Sequence, residues 1–308
     1  MSVKRYFGAR CAIICSLLLI LFSFGTDGVA QKAAYSFRTA RVNGTELSYE
    51  LKGAGRAVVF IHGGLSDSRL WDDQVDQFAK HFSVVRYDLR GFGKSAFPTT
   101  PFSHIDDLYA LLKFLNLNKV TIVGLSLGGT IGLDFTLEHP DMVDALVLAS
   151  SGLRGHPEAR NSQSAQVSKI AEEQGREKAI EGWLDHPFFA SGKGNKRFQL
   201  RMRTMLTDNY RFWGPTPSPI IINYPSPPTI DRLSAVKVPT LVIVGEKDAS
   251  NIRAIGETLA AKITNARKVV IAGAGHHLNM EKPKRFNRIV LRFLKDNQLG
   301  GPNETVVL

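Results

Sequence analysis

The 308-residue chain has two cysteines, Cys11 and Cys15, and both lie within its first thirty residues. A chain starting beyond them has no thiol, so no disulfide can hold it together and a buried core must do so. Metal-binding spacing is missing too: His104, His156 and His186 lack spaced partners, and no His-Glu-x-x-His occurs. The stretch "GAGRAVV" at Gly53 precedes an apolar run but lacks the third glycine of a dinucleotide fingerprint, and there is no Walker-type phosphate loop. Neither a cofactor nor a metal is expected, and any chemistry should need only water. With no RNA- or DNA-binding motif, and bases mostly dispersed among acids, a nucleic-acid partner is not expected either.

The N-terminus differs from the rest. Lys4, Arg5 and Arg10 precede the apolar run "CAIICSLLLILFSF", and Gly28, Val29 and Ala30 supply small residues where a signal peptidase could cut. Residues 1–30 read as a signal peptide, which predicts an exported, periplasmic or secreted protein with no stable membrane association after cleavage. The alternative is a retained membrane anchor, although the run from Cys11 to Phe24 falls short of the roughly 20 residues a spanning helix needs. Cleavage would remove Lys4, Arg5, Arg10 and Asp27, taking the formal charge from +11 to +9. That balance suits solubility at an exported location.

Beyond residue 30, Asn43-Gly44 marks the turn of a hairpin in "YSFRTARVNGTELSYELKG". Short apolar runs then alternate with helical spacing. The runs are "AVVFIHGG", "FSVVRYDLRG", "KVTIVGLS", "VDALVLASS", "PTLVIVGEKD" and "RKVVIAGAGHH"; helical spacing appears at about 104–117, 127–139, 251–263 and 282–296. Near-continuous hydrophobicity predicts strands buried on both faces in a mostly parallel sheet flanked by helices, an α/β architecture. The alternation breaks from 153 to 231, where the chain becomes polar, helical in pattern and rich in aromatics. It then passes through "GPTPSPIIINYPSPP", with six of the fourteen prolines. This predicts core segments at 31–152 and 232–308 with a helical cap inserted at 153–231.

Three strand ends carry reactive groups. "KVTIV" runs into Gly124-Leu125-Ser126-Leu127-Gly128, a strand, sharp turn and helix sequence that would expose the Ser126 hydroxyl. Gly-x-Ser-x-Gly alone is a weak signal; its position after a β-branched strand and before "GGTIGLDFTLEHP" makes it informative. Serine attacks well only when a base takes its proton, and the usual base is a histidine oriented by a carboxylate. Asp248 closes "LVIVGEKD" and His276 follows "VVIAGAG", so Ser, Asp and His occur in that order along the chain.

Together with His62-Gly63-Gly64, "YDLRGFGKS" (87–95), "EHPDMVDALVLAS" and "GAGHHLNMEKP", these motifs make the chain resemble the capped, serine-type α/β-hydrolases over nearly all but the cap. The resemblance implies Ser126 as nucleophile, His276 as general base and acid, and Asp248 as orienting carboxylate. The implied oxyanion hole uses the backbone N–H of Leu127 and that of Gly64, with Leu65 as the alternative second donor. His277 and Glu246 are the competing base and acid, and the family's usual proline or acid soon after the aspartate is replaced here by "DASN". His62 is expected to brace the oxyanion loop. Asp88, Arg90 and Ser95 read as a supporting turn, and His139 as a helix end before proline.

A serine in this position argues against relatives that use an aspartate nucleophile. Carboxylic ester or lactone hydrolysis of a small molecule ranks first, with C–C bond hydrolysis or aminopeptidase activity as alternatives. A different class also stays open: a ligand-binding or signalling module on the same scaffold with little turnover. Lys193, Lys196, Arg197, Arg201 and Arg203 read as a solvated helix face. The cap aromatics could pack its helices or line a pocket.

Overall fold

The β-branched runs become strands wherever two neighbours and flanking helices can bury them. In the computed structural model, which describes residues 37–159, 162–215, 220–297 and 299, β1 (Arg38–Val42) and β2 (Thr45–Lys52) form the expected hairpin. Asn43 and Gly44 at its turn have φ of 47° and 67°, the left-handed pair that a tight two-residue connection requires. Then follow β3 (Ala57–Ile61), α1 (Asp72–Phe78), β4 (Ser83–Tyr87), α2 (His104–Phe114), β5 (Val120–Leu125), α3 (Leu127–Glu138) and β6 (Val143–Ala149). The stretch predicted to form a cap contains α4 (Ser162–Gln174), α5 (Arg176–Asp185), α6 (Pro187–Ala190), α7 (Lys196–Asp208) and α8 (Tyr210–Trp213). The chain closes with β7 (Thr240–Gly245), α9 (Ser250–Lys262), β8 (Ala266–Ile271), α10 (Leu278–Glu281) and α11 (Pro283–Asp296). Residues 1–30, read as a signal peptide, lie outside the described residues.

Among the described residues the strands form one eight-stranded sheet in the order β1-β2-β4-β3-β5-β6-β7-β8. The β1–β2 and β2–β4 pairs are antiparallel and all others parallel. The sequence therefore reads correctly as an α/β-hydrolase fold, a mostly parallel sheet flanked by helices. Every residue of β3, β5 and β7 is buried, which explains their unbroken apolar runs.

Two elements depart from expectation. The apolar run of β8 predicts burial on both faces, yet only Ile271 is fully buried and Val270 is 45% exposed, because β8 is an edge strand with a neighbour on one side only. Helix α1 was not anticipated: its seven residues bury Gln74, Val75 and Phe78, too short a span for apolar spacing to repeat.

The parallel order brings the carboxyl ends of β3, β5, β6, β7 and β8 to one edge, where an open α/β sheet collects its functional side chains.

Candidate active site

Ser126 sits at the sharp turn between β5 and α3 with φ 54° and ψ −112°, a conformation that costs a non-glycine residue on the order of 1–3 kcal/mol. Backbone hydrogen bonds hold it there. Its N–H donates to the Ala149 carbonyl at 3.0 Å, and its own carbonyl accepts from Thr130 N–H at 3.1 Å and Gly152 N–H at 3.2 Å. The flanking glycines are required by packing: a Cβ on Gly128 would overlap the Ile61 carbonyl at the end of β3, and one on Gly124 would overlap the Gly128 carbonyl. The spacing is a demand of the strand-to-helix turn.

Two strand ends away, Asp248 and His276 meet. Asp248 is 4% exposed and His276 2%, and His276 Nδ1 lies 3.1 Å and 3.3 Å from the two carboxylate oxygens of Asp248. A carboxylate only accepts, so the ring hydrogen sits on Nδ1 and Nε2 keeps its lone pair. Asp248 Oδ1 also accepts from Ala249 N–H at 2.8 Å. The two loops are locked together. Lys247 N–H donates to the Ala274 carbonyl at 2.8 Å, and a side chain on Gly245 would strike the carbonyls of Ala274 and Gly275. Glu281 fixes the histidine loop by accepting from Gly275 N–H at 2.8 Å, His277 N–H at 3.2 Å and Ser191 Oγ at 2.7 Å.

The competing residues are engaged elsewhere. Glu246 is exposed and accepts from Gly273 N–H at 2.8 Å. His277 is buried, with Nδ1 3.1 Å from the Phe188 carbonyl, and its burial lowers its pKa to about 3. The Ser126 hydroxyl has no hydrogen-bond partner among the described residues, so the hydrogen bonds join Asp248 to His276 and do not extend to Ser126.

The backbone N–H groups of Leu127, next to Ser126 in the chain, and of Gly64 have no acceptor among the described residues. Leu127 opens α3, so its amide is one of the helix's free N-terminal donors. Gly63 packs against the elbow, its Cβ position 3.4 Å from Ser126 Cβ, and Leu65 takes a left-handed φ of 64°. His62 holds this loop. Leu89 N–H donates to its Nε2 at 3.0 Å, leaving Nδ1–H to donate to the Gly63 carbonyl at 2.7 Å, while burial lowers its pKa. The turn at 87–95 is structural as expected: Asp88 accepts from Ser68 and Lys94 N–H, both at 2.9 Å, and Arg90 pairs with Asp107.

The helices between β6 and β7 add residues that the motifs did not single out. Phe188 of α6 lies face-on to His276, with ring centres 4.2 Å apart and planes 15° apart. Phe189 stacks on His277 at 4.8 Å, and Phe212 sits 3.9 Å from Phe92. Asn209 bridges Asp67 (2.9 Å) and Gly93 N–H (2.7 Å). The basic run is largely a solvated face, with Lys193, Lys196 and Arg197 exposed, but Arg201 is drawn in: it and Arg197 reach Asp73 of α1, at 2.6 Å and 2.7 Å.

A family model described as the alpha/beta hydrolase fold matches residues 56–283. The chain belongs to the α/β-hydrolase family. The crystal structure of the enol-lactonase from Burkholderia xenovorans LB400 is 27% identical, with 84% of this chain and 100% of that one covered at a TM-score of 0.71. A thermophilic esterase from Thermogutta terrifontis is 26% identical, with coverage of 85% and 99% and a TM-score of 0.69. A 2-hydroxy-6-oxo-6-(2'-aminophenyl)hexa-2,4-dienoic acid hydrolase of Metapseudomonas resinovorans is 35% identical over 127 residues, 39% of this chain and 44% of that one. This α/β-hydrolase is thus an enzyme among hydrolases, acting on a small molecule. The roof supplied by Phe188 is its least legible part, since nothing in the sequence around "HPFFA" signals which ring meets an imidazole ninety residues downstream.

Proposed function

We propose that this α/β-hydrolase cleaves a small carboxylic ester or lactone through an acyl-enzyme on Ser126. The reading rests on the His276–Asp248 pair, which shares a sheet edge with a serine held in a strained turn. Nε2 of His276 takes the hydroxyl proton as Ser126 Oγ attacks the carbonyl carbon, and Asp248 holds the ring in the Nδ1–H tautomer. The resulting oxyanion accepts hydrogen bonds from the Leu127 and Gly64 N–H groups. His276 then returns the proton to the departing alkoxide, leaving the acyl group on Ser126. Water attacks that ester with His276 again accepting a proton, the acid leaves, and the serine is restored. Related lactonase and esterase structures support this substrate class.

Ser126→Ala should reduce 4-nitrophenyl acetate hydrolysis by at least about 10⁴-fold and abolish fluorophosphonate labelling, judged by comparison with triads elsewhere. Retained labelling would reject the assignment. Asp248→Asn should lower kcat by about 10⁴-fold by favouring the wrong tautomer; Glu246→Gln should change it little. Turnover itself separates this reading from a ligand-binding module. The proposal extends to export: N-terminal sequencing of protein from an extracytoplasmic fraction should begin near Gln31, whereas an intact Met1 terminus in the membrane fraction would support an anchor.

A further inference from the structure

Two buried donors near this site have no acceptor. Trp183 near the end of α5 and His186 just before α6 are each 5% exposed, and neither Trp183 Nε1 nor His186 Nε2 has a hydrogen-bond partner. The histidine's tautomer follows from its surroundings. Phe188 N–H donates to Nδ1 at 3.1 Å, so the ring hydrogen is on Nε2. Burial lowers the His186 pKa to about 4, keeping the ring a neutral donor near pH 7.

Buried N–H groups are nearly always satisfied, and the same cluster shows the usual outcome: Trp213 Nε1 donates to the Leu206 carbonyl at 3.0 Å. Trp183 and His186 are adjacent, with ring centres 5.1 Å apart, and His186 touches Phe188 at 4.5 Å. Phe188 is the ring that stacks on His276, so His186 stands two ring contacts from the base and Trp183 three.

We propose that Trp183 Nε1–H and His186 Nε2–H form a subsite for a neutral carbonyl oxygen in the non-reacting part of the substrate. The preferred ester or lactone would then carry a second carbonyl, a keto or amide group, away from the bond that is cleaved. Both donors are uncharged, and Phe188 and Trp213 surround them with aromatic surface. No hydrogen bond or cation–π contact joins a Lys or Arg to either ring among the described residues. A carboxylate there would be buried without a cation, whereas a ketone or amide oxygen satisfies the donors and brings no charge to desolvate. A site built to hydrogen-bond a substrate group discriminates strongly against analogues lacking it, because its own donors are then left unpaired.

This subsite rests on the ester-hydrolase reading, so its test uses binding. In the full chain carrying Ser126→Ala, calorimetric titration compares phenyl 3-oxobutanoate with phenyl butanoate, whose one carbonyl belongs to the bond that would be cleaved. The oxo compound should bind about tenfold more tightly, the size of one net hydrogen bond. Trp183→Phe keeps the aromatic packing and removes the N–H; His186→Asn keeps an oxygen able to cap Phe188 N–H and withdraws the Nε2 donor. Each replacement should bring the ratio below about threefold. Equal affinity of the two esters in the Ser126→Ala chain, including no measurable binding of either, overturns the subsite, as does a tenfold ratio that survives both replacements. Whether Ser126 carries turnover is decided separately with the unsubstituted chain, so the two readings fail by different measurements.

Discussion

Gly128 shows how far a single side chain can matter. Its missing Cβ lets α3 close against the end of β3, where a methyl group would overlap the Ile61 carbonyl. Gly128→Ala should therefore lower the free energy of unfolding by about 1–3 kcal/mol, typical of overpacking, and reduce hydrolysis although Ser126 itself is untouched. A urea unfolding curve paired with an esterase assay checks both. Because the turn's requirement for glycine is local, the Gly-x-Ser-x-Gly pattern was readable from the sequence. Choices within one loop were harder. Glu246 and Asp248 are two residues apart, and His276 and His277 are neighbours; burial and partners separate the first pair, partners alone the second, and neither is written in the spacing. Glu281 was visible as part of a motif, but its three acceptor contacts were not. Glu281→Ala should loosen the histidine loop and lower kcat with little change in KM, as steady-state kinetics on a short aryl ester would reveal.

Among elements, the decisive contact runs between α7 and α1. Arg201 is 18% exposed at its side chain, donates to Asp73 and the Arg69 carbonyl, and tethers a helix from the stretch between β6 and β7 to the core. Arg201→Ala should destabilise by about 1–3 kcal/mol, since it leaves a partly buried carboxylate short of a partner. Hydrogen exchange should quicken in α7 before the core strands respond; uniform exchange would argue against a local tether. The sequence concealed this pairing because Asp73 lies far upstream on a helix too short to announce itself. A charge run looks solvated until its opposite is known.

For the whole molecule, buried histidines set the response to acid. His104 and His277 are held neutral by burial with pKa lowered to about 3, and His186 to about 4, against about 6.5 in an unfolded chain. Between those limits the unfolded state binds more protons, so stability is full above pH 6.5 and declines as pH falls toward 3, by about 1.4 kcal/mol per pH unit for each such group. Thermal midpoints measured from pH 7 to pH 4 should drop steeply, and His104→Leu should flatten the curve. A flat profile in the unsubstituted protein would contradict the burial argument. At this scale the parallel sheet was legible, because strands buried on both faces must be continuously apolar. The edge strand β8 was not, since its residues resemble those of a central strand while their exposure depends on what packs nearby.

The face-to-face contact of Phe188 with His276 couples α6 to the imidazole at the end of β8. A substitution that shifted α6 would therefore alter the surroundings of a side chain that is 2% exposed and paired with Asp248.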